Sequence, residues 1–495
     1  MSIPRLLAVT GIFILCLLIP FRAGAADEYI QARAAIQISS AISDGRLTLS
    51  EIVKTAKQGG IKVIIVTDRD LMLWQYGLWP LRRIIKQTKK QNSVFTYGIK
   101  RYLKEIADLQ KLNPDVIMIP AVESAPFYCW EGSPFSNNLC LKDWHKHILT
   151  IGLTQPQDYE NLPVIGNAGA LRLPIRLKNI LQLWPVLLII AGIPLLLKKK
   201  YDYKDAFGSS LGPFSRRWQA TGILIILTGT LLLANNFPFA EYAFDQYRAG
   251  AGILPYQKYI DYVSARGGLT FWAHPDVENI EKIGAIKIET PEHSKDLLIT
   301  RDYTGFAVFY EGYAKTGVPE GLWDQVLVRY CRGERKHPIW AIGALAFDKE
   351  GELSECLKEL QTVLLVPRLE EAECLNALKK GRMYVLRGRR TPDFSMDTFS
   401  AQDSQGPAEV NMGGYLECTG LARIILRGHF LNGQNQLCKI KLIRDGKIHK
   451  LFDAETPYDI IYTDEDAQIG THYYRIEAES EGLILISNPI FVHKK

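Results

Sequence analysis

The sequence of 495 residues predicts an α/β barrel, interrupted by a helical hairpin that crosses a membrane and followed by an antiparallel β-sandwich. Three patterns predict this. Strand and helix signals alternate over residues 35–153 and resume over residues 256–380. Two uncharged apolar runs, Ile180–Leu197 and Trp218–Ala234, stand between those stretches. From about Pro392 onward only strand signals remain, separated by Gly, Asn and Asp.

In the first stretch, Ala35–Ile38, Lys62–Val66, Val116–Ala121 and His147–Leu153 read as short buried strands. Ser50–Gln58 and Ile99–Lys111 read as helices. After the apolar runs come helix Tyr256–Ala265 and strands Leu269–Ala273, Gly305–Tyr310 and Pro338–Ala344. Helix Leu353–Glu359, strand Gln361–Val366 and helix Glu370–Lys380 complete the series. Alternation in both halves predicts one parallel barrel with an insertion, because successive parallel strands need crossover helices. Val410–Cys418, Ala422–Gly428, Cys438–Arg444, Lys447–Phe452, Tyr473–Glu479 and Ile484–Val492 are the predicted sandwich strands.

Each apolar run approaches the roughly 20 residues that span a bilayer. Lys198, Lys199, Lys200, Lys204, Arg216 and Arg217 lie between them and predict a cytoplasmic loop over 198–217. At the N-terminus Arg5, the apolar stretch Leu6 to Pro20 and Ala23-Gly24-Ala25 read as a signal peptide or an uncleaved anchor. The expected organisation is therefore residues 1–25 as signal or anchor and 26–177 as the first barrel half. Residues 178–239 form the hairpin, 240–392 the second barrel half and 393–495 the sandwich. The barrel and sandwich are expected on the periplasmic side of a bacterial inner membrane, with the lipid bilayer as a partner.

The net charge of +6 is modest, and no basic helix face or aromatic platform points to nucleic acid. A protein or glycan partner remains open. Of the 8 cysteines, Cys129 and Cys140 sit in one loop-like stretch and could close a ring in an oxidising compartment, while Cys418 and Cys438 fall on predicted strands. No Cys-x-x-Cys pair suggests a zinc site.

The chemistry lies in six segments. Ile36-Gln37-Ile38-Ser39 leads into Ser43-Asp44-Gly45. Val66-Thr67-Asp68-Arg69-Asp70 follows the second strand. Ile117 to Ser124 ends in Glu123-Ser124. Trp144-His145-Lys146-His147 opens a strand. Gly267-Gly268 runs to Ala273-His274-Pro275, and Ala341 to Asp348 closes the series. In type and order they resemble the metal-ligand motifs of the PHP (polymerase and histidinol phosphatase) superfamily, over about residues 33–390. The resemblance is strongest to an extracytoplasmic branch of carbaryl-hydrolase-like metallohydrolases, whose A-L-x-x-G-R-x-Y and S-N-P-I segments appear as Ala377–Tyr384 and Ser487–Ile490. It implies a distorted (β/α)7 barrel with its site at the C-terminal ends of the strands.

The resemblance also implies three neighbouring metals, and five of nine ligand positions depart from it. Gln37 and Ser39 stand for an H-x-H pair, Arg69 for the T-D-H histidine, and Ala346 and Asp348 for a final D-x-H; Asp44, Glu123, His147 and His274 are kept. His145 is the second choice for the strand-opening ligand. A residual site of Glu123, His147 and His274 is expected to hold one divalent ion (zinc, manganese or iron) or none. Asp44, Arg69 and Asp348 are expected to form an ion pair where a metal once sat. Two functions follow as expectations: a degenerate, non-catalytic or strongly impaired phosphoesterase-like barrel serving as a binding or scaffold module, or a one-metal phosphoesterase or carboxylic-ester hydrolase. A third places binding in the sandwich.

Overall fold

The structure, a computed structural model, describes residues 29–172, 180–197, 207–208, 214–237, 239–309, 311–348 and 351–495. The signal segment and the Lys198–Lys204 cluster lie outside the described residues.

Nine strands form the central sheet: β1 (Ile30–Ile38), β2 (Val63–Arg69), β3 (Ile117–Ser124), β4 (Ile148–Ile151), β5 (Leu269–Trp272), β6 (Gly305–Phe309), β7 (Trp340–Gly343), β8 (Leu360–Val366) and β9 (Met383–Arg387). Their order is β7-β6-β5-β4-β3-β2-β1-β8-β9. The helix after β1, Leu49–Gln58, starts at Thr48, whose hydroxyl accepts from the Glu51 amide while Glu51 reaches back to the Thr48 amide.

The sheet is not all-parallel, as alternation alone would have it. β4 runs antiparallel to both β3 and β5. No helix crosses back after β3. The chain instead makes the short ladder Cys129–Glu131 with Cys140–Lys142 and re-enters from the same end. His147, which precedes β4, therefore stands beside Glu123 near the end of β3. After β7 the chain lies along the C-terminal half of β1, with Leu345 N donating to Ile36 O (2.8 Å) and Ser39 N to Phe347 O (2.8 Å). The N-terminal half of the same β1 edge pairs antiparallel with β8.

β4 and β5 are hydrogen-bonded neighbours, Ile148 opposite Trp272 and Ile151 opposite Leu269. Everything between them, both apolar helices included, leaves the sheet and returns to it. Phe214–Asn236 is long, and its Arg217–Asn236 portion (20 residues, mean hydropathy 1.4) meets the length and composition needed to cross a bilayer. Its predicted partner is shorter than expected: Pro185 opens a helix of 12 residues, Pro185–Leu196, about 18 Å long at 1.5 Å per residue. The two helices pack through glycines. A Cβ at Gly222 would lie 2.7 Å from Leu196 N and 2.9 Å from Gly192 O, a small-residue contact suited to apolar surroundings.

The C-terminal strands share a layer with the barrel sheet. β9 pairs with Leu483–Ser487, and the sheet continues through Gly470–Ser480, Leu437–Arg444 and Lys447–Glu455. A second sheet of Glu409–Asn411, Phe394–Asp403, Ala422–Phe430 and Tyr458–Asp464 covers it. Leu364 and Val385 face the core of the central sheet, while Val363, Leu365, Tyr384 and Leu386 enter the second core. The expected boundary at 392/393 thus has β8 and β9 serving both sides. Two predicted sandwich strands are each divided. Gly413 (φ 74°) separates Glu409–Asn411 from Tyr415–Cys418, and Asn488-Pro489 separates Leu483–Ser487 from Ile490–Lys494. Asn488 earns its place in the S-N-P-I segment by bonding Ala341 of β7 on both its N–H (2.8 Å) and its carbonyl (3.0 Å), and Met383 of β9 (3.0 Å). Gly381 takes φ 70°, and a Cβ there would strike the Trp340 ring.

Among the described residues the seven cysteines are thiols. Cys129 lies opposite Lys142 and Cys140 opposite Glu131, so the two are diagonal neighbours. Such pairs stand about 7–8 Å apart, beyond disulfide reach. Cys418 and Cys438 sit in the second core on strands that do not pair with each other.

One buried ion pair fastens the two cores. Arg475 (0% exposed) meets Asp324 (1%) through Nε–Oδ1 at 2.7 Å and Nη2–Oδ2 at 2.8 Å, and Tyr473 donates to the same carboxylate at 2.8 Å. Arg475→Met should destabilise the protein by about 3–5 kcal/mol, because it strands a buried carboxylate. Adding Asp324→Asn removes that charge and should recover part of the loss, as read by denaturant unfolding.

Candidate functional site

The strand ends converge on a cavity of about 200 Å³ lined by Gln37, Ser39, Arg69, Glu123, His147, His274, Ala346 and Asp348, among others. Three of these residues sit at positive φ: Gln37 (64°), His274 (49°) and Ala346 (50°). A fourth wall residue, Glu311, does so at 69°. Such conformations are uncommon outside glycine and collect at functional sites. At Gln37 the cause is visible, because the β1–β2 register slips between Ile36 and Ile38 and turns the side chain inward.

Glu123, 2% exposed, is the hub. Around its Oε1 stand Arg69 Nη1 at 2.6 Å, His147 Nδ1 at 2.8 Å and His274 Nε2 at 3.6 Å. No hydrogen bond to this buried oxygen is well aligned, so the contacts act chiefly through charge. Gln37 Nε2 donates to Oε2 at 3.2 Å and lies 3.2 Å from His274 Nε2. His147 Nε2 lies 3.1 Å from Trp144 O. Donation there leaves Nδ1 bare to face Arg69 Nη1 at 2.7 Å.

Burial and the Arg69 charge push His147 down to about 3, so its ring is neutral. Burial also works against the charged form of His274, yet Glu123 and Glu311 overcome it and raise His274 to about 9. Burial alone would raise Glu123; the Arg69 guanidinium, joined by the protonated His274, reverses this and holds it well below the usual carboxylate range.

Arg69 Nε reaches Asp44 Oδ2 at 3.1 Å. Arg69 thus bridges two carboxylates, but the second is Glu123. Asp348, the other carboxylate expected beside Arg69 and Asp44, contributes its charge from the cavity wall. Ser39 and Ala346 line the cavity as expected of the substituted positions. His145 turns to Glu281 at 3.1 Å and stays apart from Glu123. Asp68 is structural, accepting from Ser40 N (2.8 Å) and Ser43 Oγ (2.6 Å) in the loop after β1. Sequence reading missed Glu311, whose carboxylate lies 3.4 Å from His274 Nδ1. It also missed the hairpin Asn279–Ile283 with Ile286–Thr290, which supplies Asn279 and Thr290 to the cavity. An acidic residue just beyond strand β6 was the available signal for Glu311.

Ligand atoms of Glu123, His147 and His274 all lie within 4.8 Å of one another, the spacing a metal ion needs. His449, Asp464 and Asp466 form a second such group, but Arg444 already bonds both Asp464 oxygens at 2.6 and 2.7 Å.

No protein-family model matches the chain, and neither does any curated protein. Several solved structures are similar. One is a two-domain protein from Bacteroides vulgatus containing a predicted PHP-like metal-dependent phosphoesterase (11% identity, covering 91% of each chain, TM-score 0.33). Another, from Bifidobacterium adolescentis, is described as a candidate metal-dependent phosphoesterase (12% identity, 66% of this chain and 91% of that one, TM-score 0.28). A third is an amidohydrolase from Chromobacterium violaceum with bound sulfate and no metal (15% identity, 65% and 89%, TM-score 0.26).

The protonated His274 yields a pH test. Its folded pKa of about 9 exceeds the unfolded value near 6.5. The stabilisation is therefore complete below pH 6.5 and lost as pH rises through 9. Unfolding free energy should fall by about 2–3 kcal/mol across that window, and His274→Asn should flatten the slope. Urea titrations of both proteins from pH 6 to 10 check this.

Proposed function

We propose that this chain is a membrane-anchored, extracytoplasmic PHP-type barrel in which a tethered arginine replaces the metal, leaving a non-catalytic binding module. The ordered motif frames support the family reading. The hydrogen bonds from residues 345–347 to β1 support a distorted seven-strand ring. The apolar Arg217–Asn236 helix supports anchoring.

One observation carries the functional part: Arg69 Nη1 lies 2.6 Å from Glu123 Oε1 and 2.7 Å from His147 Nδ1. A cation already occupies the space between two of the three donors. The third donor, His274, holds a proton that a metal would have to displace. The donor set as arranged does not fit a divalent ion. The flanking positions Gln37, Ser39 and Ala346 supply no charge for a second one. A guanidinium has no open coordination position and cannot activate water as a metal does. The cavity of about 200 Å³ is smaller than the roughly 300–1,000 Å³ of ordinary ligand pockets, which suits a small polar occupant.

The 4.8 Å clustering of the Glu123, His147 and His274 donors favours a second reading, a one-metal hydrolase. That reading requires Arg69 to withdraw from Glu123.

Metal analysis of the purified protein separates the two. The wild type should carry no stoichiometric zinc, manganese or iron. Arg69→His exchanges the fixed cation for a neutral ligand nitrogen and should take up metal. Arg69→Ala should lose about 3–5 kcal/mol of stability, because Glu123 and Asp44 are left uncompensated. One equivalent of metal in the wild type, removed by His274→Ala together with esterase or phosphatase activity, would establish the hydrolase instead.

A further inference from the structure

A larger cavity, of about 680 Å³, lies on the far side of the insertion. It forms where the outer ends of the two apolar helices meet the hairpin of Leu73–Gly77 and Lys86–Lys90. The tip of that hairpin is tied to the helix ends. Asn235 Oδ1 accepts from Arg83 N (2.9 Å), Asn235 Nδ2 donates to Pro80 O (3.3 Å), and Arg83 Nη1 donates to Asn236 O (3.0 Å). Asn236 Nδ2 in turn donates to Gln182 O at 2.6 Å, joining the two helix ends.

Three buried polar atoms on the walls have no partner among the described residues: Arg82 Nε, Gln182 Oε1 and Gln246 Oε1. Gln246 is 6% exposed. The amide orientations are fixed by the opposite atoms. Gln246 Nε2 donates to Gln75 O at 3.0 Å, and Gln182 Nε2 donates to Glu241 Oε1. Turning either amide over would set oxygen against oxygen, so both free oxygens are acceptors. Arg82 packs its guanidinium 3.9 Å above the Tyr247 ring, which holds it in the wall. A buried polar group without a partner is destabilising, and three in one cavity indicate an occupant. It must offer donors to two amide oxygens and an acceptor, best an anion, to an arginine.

Water alone could satisfy these atoms; the rim points to a lipid. Trp79 (79% exposed), Phe237 (66%), Leu183 and Trp184 surround the helix ends. Aromatic residues of this kind collect where a bilayer meets water.

We propose that this cavity binds a phosphodiester headgroup bearing N–H or O–H donors, supplied by a membrane phospholipid. Arg82 receives the phosphate, and the oxygens of Gln182 and Gln246 receive the ammonium or hydroxyl hydrogens. The proposal rests on reading the two helices as a membrane anchor.

Full-length protein is extracted in mild detergent, stripped of lipid, incubated with phosphatidylethanolamine and weighed by native mass spectrometry. One retained lipid per chain is expected, with retention weakened about tenfold or more in Gln246→Leu and in Arg82→Gln, as loss of hydrogen bonds to a charged group implies. Arg82 is only half-buried, so its variant tests the site even if Gln246→Leu fails to fold. No retention by the wild type, or equal retention by the wild type and Arg82→Gln, overturns the proposal. Glycerophosphoethanolamine, followed by thermal midpoint, is the soluble arm. A shift with this compound and no lipid retention overturns the bilayer as the source. Carbonate extraction of native membranes is measured separately: release of the protein would remove the anchor reading, and the soluble arm would then judge the cavity by itself.

Discussion

A carboxylate at the centre of the strand ends organises this site. Glu123 is buried on β3, where an uncompensated negative charge would cost several kcal/mol. Three nitrogen-bearing side chains from β2, the start of β4 and the end of β5 converge on it. Their protonation states follow from the same point. Arg69 keeps its charge in spite of burial, His147 sheds its proton because it is buried beside Arg69, and His274 keeps its proton because Glu123 and Glu311 stand on either side of it. Positive φ at Gln37 and His274 places side chains in the cavity that regular strand geometry would aim elsewhere.

The topology makes that convergence possible. β4 enters the sheet from the same end at which β3 leaves it, so a residue opening one strand meets a residue near the end of the other. β4 then exits at the opposite end, and the chain returns past Pro126 and Leu73 before the apolar helices, whose ends meet the hairpin of Leu73–Gly77 and Lys86–Lys90. The C-terminal strands are part of the same construction. β8 and β9 bury one face in each core, and Asn488 links β7 to β9 through backbone groups that no neighbouring strand could satisfy. Barrel and C-terminal layers are therefore coupled through shared strands as well as through the Arg475–Asp324 pair.

Much of this was legible in the sequence because the informative features are local. Apolar runs bounded by polar turns located eight of the nine central strands closely enough to set Glu123, His147 and His274 at strand ends. The direction of β4 was not legible, since strand periodicity is the same whichever way a strand runs. The short hairpins at 73–90 and 279–290 were missed because each has one largely exposed strand, Lys86–Lys90 and Asn279–Ile283, and a partner of only five residues. Lys86–Lys90 reads Lys-Gln-Thr-Lys-Lys and carries no buried face. The partner of Arg69 was half legible. Its frame placed it near Asp44, but whether the other arm met Asp348 or Glu123 depended on a few ångströms of cavity geometry that spacing along the chain does not encode.

Under the proposed reading, an arginine in the place of a metal changes what the site depends on. A dication held by neutral histidines and a carboxylate leaves with chelation or acid, and the pocket loses its positive centre when it does. Arg69 is covalently fixed to β2, stays charged across the accessible pH range and has two of its nitrogens committed to Asp44 and Glu123. The local electrostatics, and the inward-facing backbone around Gln37 and His274, are thereby secured without a metal supply. The exchange also removes the open coordination position on which hydrolysis would rely. In a cavity so arranged the charge of Arg69 holds the strand ends together, and a metal could reach Glu123 and His147 only if that internal cation were first displaced.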